Sequence, residues 1–103
     1  MARVVHGTYT GDGAAQNISL GFKPTKVVVE NVTDGDECWS WYYGMTAAHA
    51  LKIASDGTKT RITSNGISQY AGSTSAAAGF TIGTALSESG KTFAYEAVLE
   101  DDF

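Results

Sequence analysis

The stretch ALSESGKT, at residues 85–92, is one residue short of a phosphate-binding loop. The Walker A pattern is GxxxxGK[S/T], and Ala85 stands where its first glycine should be. Such a loop needs free backbone N–H groups and a following helix whose N-terminus favours negative charge. Here Glu88 would place a carboxylate among the phosphates, and residues 92–99 alternate like a strand. We therefore interpret the stretch as the turn of a closing β-hairpin and expect no nucleotide cofactor.

The residue types that bind metal ions are scattered along the chain. His6, His49 and Cys38 occur singly, without the close pairing that is typical of zinc sites. The acidic segments at residues 34–37 and 100–102 could supply oxygen ligands to calcium, but neither follows the EF-hand pattern. We interpret both segments as solvated and expect no metal and no other cofactor.

Nucleophilic catalysis lacks its usual sequence signs. The chain contains no GxSxG motif, and no histidine lies near Ser87 or Ser89 in the sequence. A triad could still assemble through the fold, but two histidines leave few ways to form one. We predict that the protein is not an enzyme.

Aromatic side chains are concentrated at residues 39–43. Tryptophan and tyrosine are common at protein interfaces and also stack on sugar rings, because each combines a large apolar face with a polar group. A period of two would instead turn Trp39, Trp41 and Tyr43 towards the core and leave Tyr42 at the surface. Trp39, Trp41 and Tyr42 are therefore candidates for interaction, together with the aromatic Phe103 in the acidic tail.

The elements that carry these residues are predicted to be strands. Charged residues make up only 17% of the chain, and Gly, Ser, Thr, Val and aromatic residues are abundant. Asp56-Gly57 and Asn65-Gly66 suit type I′ hairpin turns, whereas a helix over residues 46–53 is only weakly indicated. The predicted strands are residues 3–9, 16–20, 26–32, 38–43, 50–55, 60–63, 67–70, 80–82 and 92–99.

Length and net charge limit the number of domains and the kinds of binding partner. With 103 residues, 43% of them hydrophobic, the chain forms one domain over residues 1–103, with a short N-terminal arm at 1–6 and an acidic C-terminal tail at 100–103. The net charge of −4 and the lack of a basic cluster predict no binding to nucleic acid or to a membrane. The lone Cys38 and the lack of a signal peptide predict synthesis in a reducing cytoplasm.

Five segments in order resemble small modules in the virion proteins of tailed bacteriophages, which include capsid decoration (cement) proteins and parts of tail fibres. They are GTYTGDG at 7–13, LGFKPTKVVV at 20–29, ITSNGI at 62–67, GFTIG at 79–83 and SGKTFAY at 89–95. Each segment alone is ordinary strand-and-turn sequence, and the ordered combination carries the resemblance. It implies an all-β, single-domain antiparallel β-sandwich of jelly-roll type and a role in binding or assembly.

The resemblance also implies partners and a location. Because the chain ends at Phe103 without a fibre shaft, we expect a capsid decoration protein that is made in the host cytoplasm and stabilises the head shell of the virion. Its partners would be the major capsid protein and further copies of itself, a trimer being one arrangement. The alternative is a tail-associated receptor- or carbohydrate-binding module, which the aromatic group at residues 39–43 would serve.

Overall fold

Eight antiparallel strands and one short 3-10 turn make up the computed structural model, which describes residues 2–100. Every predicted strand is present, although residues 60–63 and 67–70 belong to a single long strand. Residues 46–53 contain a turn and a strand rather than a helix. The elements are β1 (Ala2–Thr10), β2 (Gln16–Ser19), β3 (Lys26–Asn31), β4 (Cys38–Tyr42), β5 (His49–Ile53), β6 (Lys59–Tyr70), β7 (Gly79–Ile82), the 3-10 turn (Thr84–Leu86) and β8 (Thr92–Glu100).

All eight strands belong to one continuous sheet in the order β1-β8-β3-β4-β5-β6-β7-β2. The first strand in the sequence pairs with the last, β1 with β8, and the second pairs with the seventh, β2 with β7. The strands between them, β3 to β6, pair in sequence order as a meander. The predicted all-β, antiparallel, single-domain fold is therefore confirmed.

The sheet curls until its two halves face each other across one core. The ring of Phe80 on β7 lies 5.2 Å from that of Tyr95 on β8, although four strands separate β7 from β8 in the sheet. The Tyr9 hydroxyl donates to the Leu86 carbonyl at 2.8 Å, and burial raises the pKa of this phenol. One sheet thus provides both layers of a sandwich-like half-barrel.

The period-two alternation of the sequence determines which side chains enter the core. Val27 lies opposite Trp41 on β4 and Ala97 on β8, and all three are buried. Removing a side chain of this kind from water contributes about 1.5–3 kcal/mol. The core consists of Tyr9, Val27, Val29, Trp39, Trp41, Ala50, Ile67, Phe80, Ile82, Leu86, Phe93 and Ala97.

The prediction that Asn65-Gly66 forms a hairpin turn is wrong. Both residues lie inside β6, where the pairing with β5 jumps from Ala50↔Ile62 to His49↔Ile67. Asn65 does adopt the expected positive φ, at 59°, but it serves a bulge that bends one long strand. A Cβ atom at Gly66 would come within 2.7 Å of the carbonyl oxygens of Ala48 and His49, at the start of β5.

The described part of the N-terminal arm at residues 1–6 belongs to an edge strand, in agreement with the strand predicted over residues 3–9. Residues 2–6 pair with residues 96–100 in register as the first half of β1. Glu100, assigned to the acidic tail, ends β8 opposite Ala2. Met1 and residues 101–103 lie outside the described residues.

The bulge at Asn65 gives a direct test of the backbone geometry. Replacing Asn65 by Val should lower the free energy of unfolding by about 1–2 kcal/mol, because the left-handed conformation crowds Cβ against the backbone. Asn65→Gly should be tolerated, since glycine adopts positive φ freely. Urea denaturation of the two variants checks this, and equal stability of both would contradict the assigned conformation.

Candidate functional site

The loop at residues 85–92 does not have the geometry of a phosphate loop. The backbone N–H groups of its GK pair already have acceptors, since Gly90 donates to the Gly11 carbonyl at 3.1 Å and Lys91 to the Glu88 carbonyl at 3.2 Å. A strand follows it, not a helix. The predicted turn is present and Gly90 has a φ of 81°. The hairpin is wrong, because β7 pairs with β2 and β6 whereas β8 pairs with β1 and β3.

This loop instead bonds to two neighbouring turns, the one between β1 and β2 and the one between β3 and β4. Gly11 donates to the Lys91 carbonyl at 2.8 Å, and Gly13 donates to the Ser87 carbonyl at 2.7 Å. The Lys91 ammonium lies 3.1 Å from a carboxylate oxygen of Asp34, and this hydrogen bond raises the pKa of Lys91. Lys91, which suggested phosphate binding, therefore forms an ion pair with the acidic turn at residues 34–37.

Ser87, a candidate nucleophile by residue type, is fully buried and serves the same connection. Its hydroxyl oxygen accepts from the Asp12 backbone N–H at 3.2 Å and from Gln16 Nε2 at 3.1 Å, and it lies 3.3 Å from Asp12 Oδ1. This arrangement joins the 85–92 loop to the turn between β1 and β2.

Ser87→Ala should lower the free energy of unfolding by about 1–3 kcal/mol, because buried polar groups lose their partner. Ser89→Ala is the matched control, since Ser89 lies exposed in the same loop and should change stability by less than about 0.5 kcal/mol. Chemical denaturation of both variants measures the difference. A Ser87→Ala variant as stable as Ser89→Ala would contradict the structural role.

The other residues that could bind a metal ion or take part in catalysis lie apart from one another. His6 Nε2 lies 3.0 Å from a carboxylate oxygen of Glu96 at the surface. Cys38 is half-buried, and its pKa is raised by burial and by the nearby charge of Glu30, which disfavours the reactive thiolate. In the acidic turn, Glu37 forms an ion pair with Lys52 at 2.9 Å. Within residues 2–100, no group of three or more His, Cys, Asp or Glu is arranged to hold a metal ion.

The aromatic candidates separate into core and surface. Trp39 and Trp41 are only 2% and 4% exposed, so the interpretation that they face the core is the correct one. Tyr42 is 43% exposed on the opposite side of β4, as expected. Tyr43, expected in the core, is 71% exposed because β4 ends at Tyr42 and a turn follows. Phe103 lies outside the described residues.

The side of the sheet that faces away from the core forms a broad surface on β1, β8, β3, β4 and β5, which we call the outer face. The strand register sets residues side by side on it, Val4 opposite Val98 and Ser40 opposite Leu51. Among the described residues, four of the six exposed large hydrophobic side chains lie here. Its large apolar side chains are the exposed Val4, Tyr42, Leu51 and Ile53 and the half-buried Val28 and Val98.

Charged side chains lie between these apolar groups. Lys26 stands between Val98 and Tyr42 in the register, and its Nζ lies 6.0 Å from the centre of the Tyr42 ring. A shallow depression of about 220 Å³ between β3 and β8 contains Val28 and Glu96 in its lining. Apolar anchors with polar neighbours are typical of protein–protein interfaces.

Sequence reasoning found Tyr42 but missed the rest of the apolar set. Val4 belongs to the strand predicted over residues 3–9, and Leu51 and Ile53 belong to the one predicted over residues 50–55, but the exposed side of neither strand was assigned. Their alternation with the buried Ala50 is visible in the sequence. What the sequence does not show is that β1 and β5 share one face with β4, because that depends on the strand order.

A second surface feature lies at the turn after β4. The residues that line a hollow of about 400 Å³ include Trp41, the exposed Tyr43 and Gln69. Gln69 Nε2 donates to the Pro24 carbonyl at 2.7 Å, which fixes the amide in place. The hollow combines an aromatic ring with an oriented amide group.

A comparison with known protein families, curated proteins and solved structures finds no match to this chain. In the part of the chain that the structure describes, no helix has the length and apolar character needed to cross a membrane.

Proposed function

We propose that this chain is a non-enzymatic structural protein of a tailed bacteriophage, a capsid decoration protein that binds the head shell through the outer face. The observation that carries the proposal is the group of exposed apolar side chains around Tyr42 on that face. The resemblance of the ordered sequence segments to phage virion modules supports the choice of partner, the major capsid protein.

The outer face is suited to reinforcing a shell because it is stiff. β8, β3 and β4, which form most of it, are hydrogen-bonded on both sides. The backbone of such strands loses little further freedom on binding, which lowers the entropic cost of association. Tyr42 offers an anchor of the kind that dominates binding energy at interfaces, and Lys26 supplies a charged group beside it.

The Tyr42 side chain tests the docking surface. Tyr42→Ser should weaken binding of the chain to purified shells that lack it by about tenfold or more, as loss of an interface anchor does. Tyr43→Ser is the matched control, because it removes the neighbouring exposed ring outside the outer face, and it should bind like the wild type. Co-sedimentation with the shells over a range of concentrations gives both affinities. Equal affinity of Tyr42→Ser and wild type would contradict the docking surface.

The second candidate function is a carbohydrate- or receptor-binding module on the tail, and the hollow at Tyr43 and Gln69 favours it. Aromatic rings stack on the apolar faces of sugars, and an oriented amide can fix their hydroxyl groups.

A glycan array of the full chain tests this second function. Binding that Tyr43→Ala removes and Tyr42→Ala retains would support it, whereas no signal at high protein concentration would exclude the hollow as a sugar site. Trp41→Ala is not a useful variant, because Trp41 is part of the core and its loss would cost about 3–5 kcal/mol of stability.

A further inference from the structure

The strand β1 forms one edge of the sheet. It is nine residues long and has a neighbour, β8, on one side only within the described residues. The other edge strand, β2, has four residues. A long edge strand exposes a row of backbone N–H and C=O groups that can pair with another strand.

The hydrogen-bond pattern shows which residues of β1 direct these groups outward. Gly11 donates to the Lys91 carbonyl directly after the strand, and bonding positions alternate along an antiparallel pair. Odd-numbered residues of β1 therefore bond to β8, while Val4, His6 and Thr8 direct their backbone groups to the open edge. The Thr10 carbonyl agrees with this assignment, because it accepts from the side chain of Gln16 at 2.9 Å on the open side.

β1 lacks two of the features that usually block a sheet edge, a bulge and a proline, and its one permanently charged residue, Arg3, lies near its start with the guanidinium carbon 5.6 Å from the centre of the Phe22 ring. Its register with β8 runs unbroken from Ala2↔Glu100 to Thr10↔Thr92, so it contains no bulge. The strand has no proline and no acidic residue, although the chain has eleven Asp and Glu and a net charge of −4. Sheet edges are normally blocked by bulges, prolines or charges.

We propose that β1 pairs antiparallel with β1 of a second copy of this chain, about a two-fold axis at His6. The same strand can meet itself in a symmetric dimer only if the pair is antiparallel. With the axis at His6, the outward-directed residues fall opposite one another, Val4 opposite Thr8 of the second copy and His6 opposite His6. These three pairs exchange two hydrogen bonds each.

The charges on the strand favour a second copy as the occupant. Each β1 carries one arginine and no acidic residue, so the net negative charge of the chain does not oppose the approach of two copies. The axis at His6 sets each Arg3 opposite Tyr9 of the second copy, away from the other Arg3. On the outer face, each His6 stays beside its own Glu96, at 3.0 Å. The row across the dimer is Glu96, His6, His6 and Glu96, in which the imidazoles separate the two carboxylates.

This pairing has a consequence for the outer face. The two-fold axis of an antiparallel pair is perpendicular to the sheet, so the outer faces of both copies lie on the same side of one continuous sheet. A dimer would therefore present two outer faces to one surface, and bivalent binding strengthens attachment without new contacts. The association predicted is two-fold rather than a trimer. It does not rest on the proposed role in the capsid.

Amide hydrogen exchange on the full chain tests the pairing without any substitution. The amide protons of Val4, His6 and Thr8 should exchange quickly in dilute protein and at least tenfold more slowly at high concentration, as the dimer forms. Those of Val5 and Gly7, bonded to β8, should be protected at both concentrations. Unchanged exchange at residues 4, 6 and 8 in a sample that sedimentation shows to be dimeric would overturn the proposal.

A proline on the open edge supplies the variant test. Thr8→Pro removes an N–H that points to the open edge and has no strand beside it among residues 2–100, so the fold should persist, as a thermal denaturation curve verifies. Sedimentation should show a dimer for the wild type and for the matched control Thr8→Ala, and at least a tenfold weaker dimer for Thr8→Pro. A wild type that stays monomeric up to about 1 mM, or that forms trimers, would overturn the proposal. So would a folded Thr8→Pro that dimerises like the wild type.

If Thr8→Pro does not fold, a cross-link replaces it. In a Cys38→Ser background, His6→Cys should form an intermolecular disulfide on mild oxidation. The pairing puts the Cα atoms of the two residues at position 6 about 5.5 Å apart. Lys59→Cys, exposed on β6, is the control and should not cross-link. Equal cross-linking of both would overturn the pairing.

Discussion

The burial of large side chains from one face of a single sheet is the constraint on which the structure depends. Trp39, Phe80 and Phe93 lie on strands of the same sheet, and residues 2–100 contain no second sheet and no α-helix to cover them. They leave water only because the sheet curls upon itself. The contacts of the 85–92 loop and the hydrogen bond from Tyr9 to Leu86 hold this curvature. The opposite face and one edge of the sheet are then left facing solvent.

The sequence predicts the local part of this structure well. Alternation along the chain identified the strands and the buried Trp39 and Trp41, since it depends only on the residues within each strand. It placed Tyr43 wrongly, because the end of β4 at the turn before Gly44 decides its exposure. Asn65 shows the same limit: positive φ was expected, but a turn and a bulge require it equally, and the pairing partner decides between them.

The site could be predicted only in part, because it depends on contacts between distant residues. Tyr42 was identified from its own strand. Val4 and Leu51 join it only through the order of the strands, in which β1 follows β8 and β5 follows β4. Likewise, Lys91 in a GKT sequence suggests a phosphate site until its partner Asp34, 57 positions away, is known. The outer face and the open edge of β1 are properties of the sheet, and together they describe a protein suited to lie flat on a larger assembly.

The most direct test of the proposed function is a reconstruction of the phage particle at a resolution that shows strands. We expect density for this chain on the head shell, with the outer face of β1, β8, β3, β4 and β5 against the major capsid protein and Tyr42 inside the contact. Density in which the outer face is exposed to solvent, or in which the chain occurs only at the tail tip, would contradict the proposal.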